Sequence, residues 1–167
     1  MDKLHVRLTQ KEWFEFIRRD YSEGVIVPEI NFWKPGIQQG FSAVEPGELF
    51  GFKLHNKHTQ DEEINGEIVG GATFVRYERN KIRDAWNKYG RGNGSASCMD
   101  LMKSMGIMDQ DQVIGCIILK NPFFFDPKDW IVWEKDPKEG YGCKTFKRSN
   151  SSDIQVLDDF ELKISTV

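Results

Sequence analysis

The spacing of apolar positions changes at Gly24. Before it, Trp13, Phe16 and Ile17 fall on one face of the run KEWFEFIRRDYS, and Thr9 followed by Glu12 makes a capping box. The pattern predicts a helix within residues 1–24 that packs on the body of the domain. After it, VIVPEINFW, ELFGFKL and EIVGGATFVRY are β-branched and aromatic and are bounded by turn pairs such as PG and NG, which predicts strands. The acidic stretch NKHTQDEEING at 56–66 reads as an exposed hairpin loop.

Helical spacing then returns twice. Ile82, Ala85, Trp86 and Tyr89 stand at i, i+3, i+4 and i+7 in KIRDAWNKY. Cys98, Leu101, Met102 and Met105 repeat the spacing in SCMDLMKSM, with Ser97 and Asp100 as its cap. QVIGCIIL predicts a buried strand, NPFFF a second and DWIVW a third, and the alternation in IQVLDDFELKIS predicts that the tail from Asp153 to Val167 closes a sheet edge. No repeat or linker interrupts the chain. The order predicts one α+β domain over 1–167, with a mainly antiparallel, barrel-like sheet and short flanking helices.

Between the two helices lies AWNKYGRGNGSAS, with three glycines in five positions. A dinucleotide loop needs G-x-G-x-x-G after a strand, and a P-loop needs Gly-Lys-Ser/Thr at its end. GRGNGS follows a helix and its third glycine comes one residue early, so it fits neither. Gly90 reads as the glycine that ends a helix. A turn does not require Arg91 or Asn93, which become candidate polar contacts, Arg91 to a phosphate.

Composition narrows the classes. At 167 residues, with 39% hydrophobic and 29% charged residues, the chain is long enough to close a core without metals or disulfides. A net charge of −3 gives no global field for nucleic acid, so any such binding needs a local patch. Cys98, Cys116 and Cys143 form no CxxC pair and read as reduced, mostly buried thiols of a cytoplasmic protein. No apolar leader or spanning segment is seen. The letters HNKH at 55–58 are too crowded for a ββα-metal nuclease, and no nucleophile motif or metal cluster appears, so neither catalysis nor a cofactor is expected of this chain.

A binding pocket is the stronger expectation. Strand alternation puts Phe32 and Trp33 on opposite faces, so one of them lines something other than the main core. Trp86 and Tyr89 read as framework. By the same alternation one of Trp130 and Trp133 is expected to be exposed. Basic residues gather as Arg76, Arg79, Lys81, Arg83, Lys88 and Arg91 against Glu78 and Asp84, and again as Lys144, Lys147 and Arg148. The first group flanks the glycine turn, where a phosphate-tracking surface would be useful.

The pieces FWKP, EPGELFGFKLH, IVGGATFVRYE, AWNKYGRGNGSAS, IGCIILKNPFFF and DWIVW occur in an order that resembles the N-terminal domain of HNH-type restriction endonucleases, a PUA-superfamily domain close to the EVE and SRA-like modification readers. The resemblance runs from about Asn31 to Gly142. It implies a small β-barrel with flanking helices that takes a modified base, flipped from double-stranded DNA, into an aromatic pocket. Carried over by position, Trp33 and Phe41 become the base cage, with Gln39 and Ser42 as polar candidates. Arg91 and Asn93 become nucleic-acid contacts, joined by Lys34, Arg76, Arg83, Lys144 and Arg148 from the basic runs. The family's HNH module has no counterpart in this chain, so the resemblance implies the specificity module of a modification-dependent nuclease or a separate reader. Two rival expectations stand beside it: an RNA or modified-RNA binder, and a protein-interaction module anchored on Trp133 or the Phe123–Phe125 run.

Overall fold

The structure, a computed structural model, describes all residues except 37–39, 56–64 and 135–141. It is α+β: a mixed seven-stranded sheet and, among the described residues, four α-helices. The strands are β1 (Lys3–Leu8), β2 (Ile30–Lys34), β3 (Leu49–His55), β4 (Asn65–Lys81), β5 (Val113–Phe124), β6 (Ile131–Glu134) and β7 (Cys143–Lys147). They lie in the order β2-β5-β4-β3-β1-β7, with β6 paired to β4 off that path. β1 runs parallel to β3, while β1–β7, β2–β5 and β4–β6 are antiparallel. That path ends at β2 and at β7, and among the described residues the sheet is not closed into the expected barrel.

The chain forms two compact units. The first comprises Met1–Gln10, Glu48–Ala72 and Pro122–Val167. Its opening strand β1 belongs to a segment for which only a helix was expected, although Leu4 and Val6 alternate in KLHVRL with polar neighbours. Both are fully buried, against Phe146 of β7 and Leu157 and Phe160 of helix α4 (Ile154–Ile164). That helix corrects the reading of the tail as an edge strand. Leu157 and Phe160 face the core, and Gln155 donates to Asp159 one turn on at 2.9 Å. Asp153, at the foot of the helix, accepts from the Lys147 backbone N–H at 3.0 Å and pairs with Lys144 at 3.2 Å.

NPFFF is likewise not a separate strand. β5 continues through it, with Asn121 at φ 51°, in the left-handed region that Asn tolerates better than most residues. Trp133 is buried under the Lys53 ammonium, 4.1 Å from its ring centroid, and Phe125 is buried beside Phe160. Trp130 is partly buried, its indole N–H donating to the Phe125 carbonyl at 3.1 Å. Of the rings proposed as protein-docking anchors, Trp133 and Phe125 are core, Phe123 is partly buried against that core, and Phe124 is partly buried.

The second unit comprises Lys11–Gly47 and Thr73–Asn121. It holds α1 (Lys11–Ser22), β2, α2 (Ile82–Tyr89), a 3-10 turn (Gly90–Asn93) and α3 (Cys98–Met105). These helices lie where their spacing predicts, and the Ser97 hydroxyl accepts from the Asp100 N–H at 3.1 Å as the cap pattern requires. Ile82, Ala85 and Tyr89 of α2 and Leu101 of α3 pack on Ile114, Cys116 and Ile118 of β5. Trp13, Phe14 and Ile17 supply the buried face of α1, with Phe14 in the place expected of Phe16, which is only partly buried. Of the HNKH letters, His55 ends β3 and the other three lie outside the described residues, as does the expected 56–66 loop up to residue 64; Asn65 and Gly66 open β4.

Candidate functional site

The glycine turn is a clasp rather than a cradle. Gly90 ends α2 at φ 49°, its N–H directed back to the Trp86 carbonyl. Gly92 lies so near β2 that a Cβ would stand 2.6 Å from the Glu29 carbonyl oxygen. Gly94, at φ 77°, faces the Trp13 indole, and a Cβ there would come within 2.8 Å of its Cγ. Two of the three glycines are thus demanded by close approach and two by backbone angle. No anion is needed to explain them.

Asn93 holds the clasp shut. It is fully buried. Its Nδ2 donates to the carbonyls of Ala85 at 3.1 Å and Gly90 at 2.8 Å, and its Oδ1 accepts from Asn31 Nδ2 at 2.9 Å. Its backbone carbonyl accepts the Trp33 indole N–H at 2.9 Å. An atom set spent inside the fold cannot reach a DNA backbone, which corrects the role expected for Asn93. It is a positioning residue.

β2 separates the expected cage into two faces. Trp33 is opposite Cys116 in register and Asn31 opposite Ile118, and these residues share the α2 side of the sheet. Asn31 Nδ2 also reaches Cys116 Sγ at 3.4 Å. Phe32 faces the other way, its ring edge-on to Trp13 at 5.3 Å between centroids. Lys34 is on that second face, opposite Gly115, where a Cβ would stand 2.8 Å from the Tyr77 hydroxyl. Phe41 packs on Phe74 and on Tyr77, with centroids at 5.4 and 6.3 Å. Trp33 lies on the α2 side of β2, whereas Phe41 contacts Tyr77, whose hydroxyl stands beside Gly115 on the Lys34 side, so the two rings are not brought together as one cage. Ser42 is exposed, and Gln39 lies outside the described residues.

The basic residues are engaged by acids remote in sequence. Arg76 forms a two-pronged pair with Glu29 at 2.7 and 2.9 Å and also reaches Glu78 and the Tyr89 hydroxyl. Arg83 pairs with Asp111. Arg91 grips Asp20 through two bonds of 2.7 Å while its guanidinium lies 4.7 Å from the Phe16 ring centroid. Lys144 pairs with Asp153, and Arg148 with Asp158 and Glu161. The local excess of positive charge seen along the sequence is thus largely offset in space.

Within this network burial pushes the Tyr89 phenol well above its usual range, and its hydrogen bond to Glu78 adds to the shift. Burial alone would raise Glu78, yet hydrogen bonds from Tyr89, Asn80 and Arg76, with the nearby Lys88, hold it below the usual carboxylate range. Tyr89 therefore stays a neutral donor and Glu78 an anion. Together they tie α2 to β4. Cys116 is a buried thiol whose ionisation burial suppresses. Among the described residues no group of three His, Cys, Asp or Glu side chains converges as a metal site, and no helix is long and apolar enough to cross a membrane.

Asn31 and Asp20 went unremarked in the sequence. A signal for Asn31 was present, since a lone amide inside the apolar run INFW is costly to bury without partners. What the second unit assembles is a partly buried indole with a fixed edge, beside a buried amide whose orientation is also fixed. Comparison with family models, curated proteins and solved structures returns no match to this chain.

Proposed function

We propose that the chain is a nucleic-acid-binding module that reads a modified base in DNA, the specificity part of a modification-dependent restriction system, with Trp33 as the ring on which the base stacks. This reading follows the resemblance in motif order, and it keeps the PUA/EVE-like barrel as its implied ancestry. The observation that carries it is Trp33 itself. Trp33 is partly buried against the core of the second unit and keeps some exposed surface, while its indole N–H is pinned to the Asn93 carbonyl, so the orientation of the ring is set before any ligand arrives. Base-on-aromatic stacking contributes about 1–3 kcal/mol per base, which helps offset the few kcal/mol of unstacking a flipped base costs. Backbone attraction is weak on this reading, because the arginines are committed to internal pairs.

The test is binding of the chain to short duplexes that differ in one modified cytosine or adenine, at one fixed salt concentration, for the wild type, Trp33→Ala and Phe41→Ala. The expected outcome is a preference of about tenfold or more, worth ~1.4 kcal/mol, that Trp33→Ala abolishes and Phe41→Ala leaves in place. Equal weak binding to every duplex refutes it. Stronger binding to matched RNA moves the assignment to an RNA reader.

A further inference from the structure

Asn93 fixes more than an indole. Its Nδ2 faces two backbone carbonyls, Ala85 at 3.1 Å and Gly90 at 2.8 Å, which can only accept. The amide cannot be turned over without setting oxygen against oxygen twice. Its Oδ1 is therefore the atom that meets Asn31, and Asn31 must present Nδ2 to it, at 2.9 Å. The same Nδ2 supplies Cys116 Sγ at 3.4 Å. Only one identity remains for the other terminal atom of Asn31. It is an oxygen, and among the described residues nothing donates to it, although the side chain is fully buried.

A buried acceptor with no donor is costly to keep, because it has given up water and received nothing. Its place matters too. Asn31 and Trp33 are two residues apart on one face of β2, so the acceptor sits next along the strand from the ring assigned to stacking. The two residues are joined through Asn93, which binds both. We propose that Asn31 Oδ1 reads the edge of the stacked base and selects one bearing an exocyclic amino group, the N4 amine of a cytosine or the N6 amine of an adenine. The proposal rests on the base-reading function above and names the chemical class that function accepts. A base with a keto oxygen at the same position sets two acceptors face to face and leaves both unpaired. A site built around one hydrogen bond rejects the analogue that lacks it far more strongly than an apolar pocket rejects a missing methylene. Because Oδ1 is shielded in the ligand-free chain, entry of the base requires local opening, and Trp33 is the next side chain on that face with exposed surface.

The experiment compares amino and keto partners of otherwise identical shape: cytosine with uracil, 5-methylcytosine with thymine, adenine with hypoxanthine. Each is placed opposite an abasic site in one duplex sequence, so that base pairing does not differ between them. The wild-type chain is expected to bind the amino member of at least one pair tenfold or more tightly. Asn31→Val is expected to bring that ratio within about twofold, a change of preference that a general loss of stability does not produce. Binding without amino/keto discrimination, or discrimination that survives Asn31→Val, overturns the role of Asn31 while leaving the base reader standing. Absence of binding to every duplex, here and in the modification series, removes both. If Asn31→Val does not fold, the wild-type ratios alone still decide whether an amino group is selected. A structure of the complex in which an ordered water is the sole partner of Oδ1 also overturns the assignment.

Discussion

Replacing Gly94 by alanine perturbs the clasp at its tightest point. Two costs add. The residue sits at φ 77°, and an L side chain in that region costs about 1–2 kcal/mol. The new methyl would also stand 2.8 Å from Trp13 Cγ and Nε1, so the indole has to move. Moving it weakens the hydrogen bond from Nε1 to the Asn31 carbonyl, now 3.1 Å, for about 0.5–1.5 kcal/mol. It also disturbs the edge-on pairing with Phe32, for a further 0.5–1.5 kcal/mol or so. The expected total is about 2–5 kcal/mol, a large share of the 5–15 kcal/mol typical of a folded domain. Gly106 is the control, because it has a similar φ of 67° and a Cβ there meets nothing within 4 Å. Gly106→Ala should therefore show the backbone cost alone. Urea unfolding followed by tryptophan fluorescence measures both. With a slope of about 2 kcal/mol per molar, Gly94→Ala moves the midpoint down by roughly 1–2.5 M and Gly106→Ala by no more than about 1 M. If the two variants fall within about 0.5 kcal/mol of each other, contact with Trp13 is not what demands the glycine, and the clasp argument fails.

Three further outcomes follow from the same geometry. Ultraviolet titration should show the Tyr89 phenol, identified by its loss in Tyr89→Phe, ionising well above the usual phenol range. Since the folded pKa is the raised one, its contribution to stability is constant below about pH 10 and is lost as pH climbs beyond it; Tyr89→Phe removes that loss. Glu78 behaves oppositely: its lowered pKa contributes stability above the ordinary carboxylate range that disappears on acidification, so Glu78→Gln should flatten the acid limb of a stability–pH curve. A water-soluble thiol reagent should label exposed Cys143 in the native protein and reach buried Cys116 only after unfolding; equal native rates contradict the placement of β5.

Local pattern made the helices legible and left the site obscure. α1, α2 and α3 could be read because apolar spacing and nearby glycines, with a side-chain cap at α3, lie within a few residues of one another; the Thr9 hydroxyl expected to cap α1 donates to the Arg7 carbonyl instead. The tail misled because Val156 and Leu162 interleave with Ile154, Leu157, Phe160 and Ile164, giving a rough alternation that only the packing of α4 resolves as helical. Charge misled for a different reason. Arg91 and Arg76 looked unopposed because Asp20 and Glu29 lie far back in the chain, and ion pairing acts across space. A similarly long stretch of chain separates Asn31 from Asn93. Neither residue alone signals that the two amides fix each other's orientation.

The clasp also bears on how the protein behaves in a crowded solution. β2 is one of the two ends of the sheet, the sort of exposed backbone rim on which further strands can add. The 3-10 turn lies against it at Glu29 and Ile30, while Trp13 occupies the carbonyl of Asn31. A bulky residue at Gly92 would push that cover away, because the obstructing atom is the Glu29 backbone oxygen, which cannot rotate aside. The first sign of such a change would then be polymerisation through an uncovered rim.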